Sequence, residues 1–308
     1  MASRITIGET SRGARRTRRA PRDTVIAFVM LGPALVLLGI FVIWPMVYSA
    51  YLSFFDWSFY QESVFVGFDN FRRVLTDQVF IESVGRGLLF ALIVVPVQLT
   101  LAFIFASLVA TVGRRLATAL KVSVFIPTVI STVIASIVFI LIYQYHGGLA
   151  NWVIGLLGIP PQAWLADVAL ALPSMAVPAI WLGLGIAALI MLAGLLDIPV
   201  TYYEAAELDG ANWLQRTFRI TLPLMRNIIL YLAIAGFVAN VQQFELPLVL
   251  TKGGPQNATM LPNLLIFSHF RDDITVGYSI AAAFLLFIVM GTISALIFRF
   301  LNSAQAED

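Results

Sequence analysis

The sequence predicts an all-α membrane protein with six transmembrane helices and both termini on the cytoplasmic side. Three observations carry that prediction. First, 60% of the 308 residues are hydrophobic and only 12% are charged, about half the charged share of an ordinary soluble domain. So few charges cannot cover the surface of a soluble protein this size. Second, six apolar runs reach or exceed the roughly 20 residues that a helix needs to cross a bilayer. Third, the basic residues fall mainly in every other connector, with fourteen on one side and five on the other. Basic residues stay cytoplasmic, which orients the chain. The runs are apolar on all sides, whereas strands of a membrane barrel alternate over about ten residues. Helices also satisfy their own backbone polar groups in lipid.

The chain divides into an Arg-rich arm over 1–23 and a membrane domain over 24–303. The arm carries Arg4, Arg12, Arg15, Arg16, Arg18, Arg19 and Arg22. It serves as a solvated topology determinant or rests on anionic lipid heads. The first span, 25–50, is too long for the apolar region of a cleaved signal peptide and reads as an uncleaved signal-anchor. An outer segment over 51–83 follows, rich in aromatics (Trp57, Phe59, Tyr60, Phe65, Phe68, Phe71) and therefore expected to fold. Spans two and three are expected at 88–112 and 122–145, joined by an inner loop with Arg114, Arg115 and Lys121. Outer residues 146–171 hold two turn signals, Gly147-Gly148 and Pro160-Pro161. Span four is expected at 172–196, span five at 224–250 and span six at 277–301.

Several functions are excluded. The chain has no cysteine and two distant histidines, His146 and His269, so thiolate chemistry is absent and no metal site is expected. There is no GxxxxGK[ST] phosphate loop, so the chain is not an ATPase and no cofactor is expected in it. Nothing in the charge pattern calls for a nucleic-acid partner. Ion-coupled transporters place carboxylates or basic groups within their spans. Here Glu245, with Glu82 and Arg86 at an edge, is nearly all there is. An ion-coupled secondary transporter is the alternative, and a non-transporting membrane anchor is a third reading.

The inner loop 197–223 is the most informative segment. It reads as two short helices with a break. Thr201–Leu208 is expected to be the first, with Thr201 as N-cap and Glu204 at the capping-box spacing. Asp209-Gly210 ends it, Ala211–Ile220 restarts, and Pro223 suits the first turn of span five. Glu204 and Glu207 share a face, and Ala205 and Ala206 would leave a smooth surface for a partner. A docking knob and a solvated loop both fit this spacing.

The run Glu204-Ala205-Ala206-x-x-Asp209-Gly210-Ala211, followed by Phe218, Ile220 and Leu222-Pro223, resembles the EAA loop of bacterial ABC importer permeases. One departure is Arg226-Asn227, where many members carry a second proline. Leu250-Thr251-Lys252-Gly253-Gly254-Pro255 with Thr259 resembles the outer signature of the carbohydrate and glycerol-phosphate group, and Val66-Gly67-Phe68-Asp69-Asn70-Phe71 resembles another of its segments. The resemblance covers about residues 25–300.

It implies a type I importer permease in the bacterial inner membrane that transports a sugar or related solute. A neutral mono- or oligosaccharide is favoured over a polyol or glycerol phosphate. It implies a second permease chain, an ATPase dimer that binds ATP and Mg, and an extracytoplasmic solute-binding protein. Glu204, Ala205, Ala206, Asp209, Gly210 and Ala211 would couple to the ATPase. By similarity to the maltose-type permeases, Trp181, Leu182, Gly183 and Ile186 on span four, and Gly236, Asn240 and Gln243 on span five, would line the solute pathway. Ile186 replaces a tyrosine of the maltose subunit, so that contact set is not reproduced. Asn240, Gln243 and Phe244 would share one helix face at i, i+3 and i+4. The same amides would serve equally as links between helices.

Overall fold

The computed structural model describes residues 21–57, 62–272 and 276–303. Residues 1–20 of the Arg-rich arm, and Phe59 and Tyr60, lie outside the described residues. The chain forms two units, one ending at Tyr51 and one starting at Leu52.

The described part of the first unit is one long apolar helix in two pieces, α1 (Pro21–Leu38) and α2 (Trp44–Leu52, whose last residue opens the second unit), joined by a wide turn of π-helix over Gly39–Ile43. The Trp44 N–H reaches back to Gly39 O, and the next residue, Pro45, has no N–H to offer. A missing donor is a recognised cause of such local widening. Its large side chains from Val29 through Tyr51 are mostly exposed within this unit.

The second unit begins with the outer segment, which is folded. Strands β1 (Phe55–Asp56) and β2 (Val64–Phe65) pair antiparallel, and α3 (Asp69–Thr76) follows. Phe68 packs edge-on to Phe54, and Phe65 to Phe55. Buried Asn70 donates to Ser53 O and Phe55 O, both at 2.9 Å, and so closes the ribbon onto the helix. Asp77 then caps α4 (Gln78–Thr111), accepting from Val79 N at 2.8 Å, while its other oxygen accepts from Tyr278 Oη at 2.5 Å. That pair ties the start of span two to the start of span six.

The helix that carries span two thus begins at Gln78, ten residues ahead of the apolar run expected from 88. Span three differs more. It is two helices, α5 (Arg114–Val129) and α6 (Thr132–Ile142), bent by 97°. Ile130 and Ser131 between them are extended. The Thr128 hydroxyl donates to Leu182 O at 3.2 Å and fastens the end of α5 to α8 (Val168–Leu196). A hydropathy window sees apolar residues through this stretch and is blind to the change of direction.

Outer residues 146–171 contain α7 (Leu149–Gly155) and are organised by Asn151. Its amide donates to Tyr145 O and Gln162 O, and its Oδ1 accepts from Gln162 N and Trp164 Nε1. Span four is α8, with Pro173 and Pro178 inside it. Pro178 leaves Ser174 O without its helical donor, and Tyr143 Oη supplies one at 2.9 Å.

Span five is α12 (Arg226–Val241), a break at 242–244, and α13 (Glu245–Leu250). The outer turn that follows is held by Thr259, whose hydroxyl donates to Gly254 O and pairs with that of Thr251. Helix α14 (Pro262–Arg271) leads to span six, α15 (Val276–Ser303). Span two packs most extensively on span four. Small residues (Ala102, Ala106, Ala187, Ala188) let those backbones approach closely in the inner core, while Phe90, Met175 and Leu246 fill the outer one.

Candidate functional site

Two places bring together the residues singled out above. The first is the inner loop. Helix α9 runs over Val200–Leu208 with Pro199 at its N-cap position and no side-chain cap. Thr201 is therefore inside the helix, and the capping box expected there does not form. The C-terminal stop is as expected and complete. Asp209 N bonds Ala205 O, Gly210 N bonds Glu207 O at 3.0 Å, and Ala211 N bonds Ala206 O at 2.9 Å. This is the Schellman arrangement, and it needs the left-handed φ of +75° that Gly210 supplies.

The capping box that does form lies further on. Asn212 Oδ1 accepts from Gln215 N at 2.9 Å, and Gln215 Oε1 accepts from Asn212 N at 2.8 Å. It starts α10 (Trp213–Arg216). A π segment over Thr217–Thr221 and a short α11 (Leu222–Leu224) follow in place of a continuous helix to Ile220. Arg216 reaches Glu207 at 3.5 Å, and Tyr203 Oη lies 2.9 Å from Thr221 Oγ1, so the two short helices are tied together.

Ala205 is exposed, but Ala206 is buried. The two alanines do not form one smooth outer surface. Ala206 turns inward and is the close-packing residue. Glu204 is exposed and has no ion pair among the described residues. Leu208 is 90% exposed, and Trp213, Leu214 and Phe218 are also exposed. A leucine so open beside a rigid acidic turn is a surface that a partner would cover. Sequence reasoning passed over Leu208, because periodicity alone does not say which apolar residue of a short helix faces out. Behind the loop, a cavity of about 420 Å³ is lined in part by Phe103, Ser107, Tyr203, Trp213 and Arg216.

The second place is a cavity of about 230 Å³ between α4, α8 and α12. Gly183, Ile186 and Gly236 line it, with Val95, Gln98, Leu99, Ile190 and Tyr231 among the others. The remaining pathway candidates are elsewhere. Trp181, 36% exposed, packs against Phe139 with ring centres 5.8 Å apart. Leu182 packs against the outer core. Asn240 is buried and donates to Gly236 O at 2.8 Å. Because α12 ends at Val241, Gln243 and Phe244 leave the helix and do not share a face with Asn240. Gln243 Oε1 instead accepts from Phe244 N at 3.0 Å. Gln98 and Tyr231 are the cavity's polar residues that sequence reasoning missed. A lone amide in a long apolar run was the available signal for Gln98.

Residues 98–306 match the family model described as binding-protein-dependent transport system inner membrane component. The trehalose/maltose transport system permease protein MalF of Thermococcus litoralis is 31% identical over 88% of this chain and 92% of its own length. The sulfoquinovosyl glycerol transport system permease protein SmoG of Agrobacterium fabrum is 30% identical over 91% and 92%. The diacetylchitobiose uptake system permease protein NgcF of Streptomyces coelicolor is 31% identical over 94% and 86%. Among solved structures, a chain of a bacterial ABC transporter that imports the acidic polysaccharide alginate superposes with a TM-score of 0.78. It is 21% identical, over 92% of this chain and 96% of that one, a likeness of fold.

Proposed function

The chain belongs to the family of binding-protein-dependent transport system inner membrane components, and on that premise we propose how it works within its transporter. It is a permease, not an enzyme, of a carbohydrate ABC importer. It pairs with a second permease chain to enclose the pathway, and an extracytoplasmic solute-binding protein delivers the cargo. Two ATPase subunits sit beneath and bind the ATP and Mg, while this chain holds no cofactor of its own. Both termini are cytoplasmic. The solute is a neutral mono- or oligosaccharide in preference to a polyol or glycerol phosphate. The cavity supports this choice, since among the described residues neither lysine nor arginine lines it. The names of two relatives, trehalose/maltose and diacetylchitobiose permeases, support it as well.

One observation carries the coupling role. The loop is a closed, internally bonded knob whose outward groups, Glu204 and Leu208, are exposed, and Glu204 makes no ion pair among the described residues. Glu204, Ala205, Asp209, Gly210 and Ala211 form its tip, and Ala206 seats it. Closure of the ATPases pulls two such knobs together. A ligand shifts a two-state equilibrium only by binding the states unequally, and the loop is where ATP-bound and ATP-free partners hold this chain differently. Gly183, Ile186 and Gly236 line the solute pathway. Trp181, Leu182, Asn240 and Gln243 stay assigned to it by family resemblance alone.

The chain tagged at its C-terminus, extracted from native membranes in mild detergent, is expected to bring down an ATPase and a second permease in stable proportion by mass spectrometry. Recovery of the chain alone overturns the reading. In the assembled complex, Glu204→Ala is expected to lower transport-coupled ATP hydrolysis by about tenfold or more, the equivalent of one charged hydrogen bond of ~1.5–3 kcal/mol.

A further inference from the structure

Gln98 lies in a long apolar helix, and its side chain makes no hydrogen bond among the described residues. That is unusual for its setting. Thr100, two residues on, returns its hydroxyl to Pro96 O at 2.8 Å, as short polar side chains in membrane helices do. An amide has two donors and an acceptor to satisfy, and leaving them bare in hydrocarbon is costly. Gln98 is half-buried. Its amide lies on the bare backbone of Gly183, where a Cβ would come within 2.5 Å of Nε2 and 3.2 Å of Cδ. The absence of a side chain at position 183 is what lets the amide from span two reach across the face of span four. Both residues line the 230 Å³ cavity, whose other walls are mostly aliphatic.

We infer that Gln98 is the polar contact span two contributes to the solute pathway, binding hydroxyl groups of a neutral sugar over the glycine step at Gly183. The inference rests on the pathway reading above and adds a third helix to it. An amide donates and accepts at once, as a hydroxyl does, and carries no charge. The aliphatic walls suit the C–H faces of a sugar ring. The cavity is smaller than the roughly 300–1,000 Å³ of complete ligand pockets, as befits one half of a pathway whose other half belongs to a second chain. A polar side chain of the second permease is the rival partner for the amide.

The chain contains no cysteine, so single cysteines report without background from it. Three variants, Gln98→Cys, Ile186→Cys and Leu92→Cys, are placed in the assembled transporter in lipid nanodiscs. They are treated with a charged, water-soluble methanethiosulfonate, and modification is read as the mass shift of this chain. Ile186 lines the same cavity, while Leu92 is 69% exposed elsewhere on α4. Gln98→Cys and Ile186→Cys are expected to react at least about tenfold faster than Leu92→Cys, because the reactive thiolate forms in water and not in hydrocarbon. Fast Ile186→Cys with Gln98→Cys as slow as Leu92→Cys overturns the inference and leaves the pathway reading standing. If Ile186→Cys and Gln98→Cys are both as slow as Leu92→Cys, both fail. Reaction at Gln98→Cys only after the second permease is removed gives the amide to the interface between chains and also overturns the inference.

Discussion

The loop between spans four and five and the cavity between spans two, four and five are built from opposite materials. The bonds that stop α9 and start α10 join residues close in sequence, and the Tyr203–Thr221 pair then ties the loop to its own base. Gly210 to Glu207, Ala211 to Ala206 and Asn212 to Gln215 form a local stop and a local start. The cavity has no local rule. Gln98, Gly183 and Gly236 come from three helices and meet only because the helices pack. Local chemistry makes a rigid knob that can be handed to a partner, and tertiary packing makes a space. The largest expected effect therefore lies where one local rule is broken outright. Gly210→Pro fixes φ near −65° where +75° is needed and removes the N–H that bonds Glu207 O. A cost of about 3 kcal/mol or more corresponds to about a hundredfold less of the docking geometry. Solute-stimulated ATP hydrolysis by the assembled complex should fall accordingly. Hydrolysis at the wild-type rate would mean that the knob does not transmit.

The cavity side gives the next effect, and two glycines of span four sharpen it. A Cβ at Gly185 would lie 2.6 Å from Val124 O and 3.0 Å from Phe125 Cα, which are backbone atoms that cannot step aside. Gly185→Leu should cost about 1–3 kcal/mol by overpacking and lower the unfolding temperature of the complex. A Cβ at Gly183 meets the end of the Gln98 amide, which is flexible. Gly183→Ala should leave that temperature nearly unchanged and move the amide. Equal destabilisation by the two would show that Gly183 is a packing residue and that the cavity is a flaw in packing.

The same contrast decides what could be read from the residues alone. Six apolar runs and the break at Asp209-Gly210 were legible, because hydropathy and turn preference are properties of short segments. The 97° turn after Val129 was not, since an apolar run looks the same straight or folded. Nor was the end of α12 at Val241, which separates Asn240 from Gln243 and dissolves the shared face that a continuous helix would have given them. Ala206 was grouped with Ala205, and the structure puts one inside and one outside, because a short helix packed on its own chain has two faces. Gln98 was visible as a polar residue in an apolar run, but its place over Gly183 depends on two helices meeting.

The smallest effect tests the local side at its weakest point. Thr201 is the N-cap that the spacing with Glu204 predicts, and Asn212, expected inside the second helix, is the N-cap that the structure shows. Only Asn212 caps: its side chain accepts from Gln215 N, whereas Pro199 takes the N-cap position ahead of α9 and Thr201 falls inside the helix. Proline at that point holds the chain in the extended form that a cap requires without a side-chain acceptor. Asn212→Ala should therefore cost ~1 kcal/mol of local stability and speed hydrogen exchange at the Gln215 amide by about fivefold. Thr201→Ala replaces an interior helical residue with the best helix former and should leave exchange at Glu204 unchanged or slower. Faster exchange at Glu204 in Thr201→Ala would restore the cap that the spacing with Glu204 suggests. The loop would then owe its start to side-chain chemistry at both helices, and the proline would be incidental.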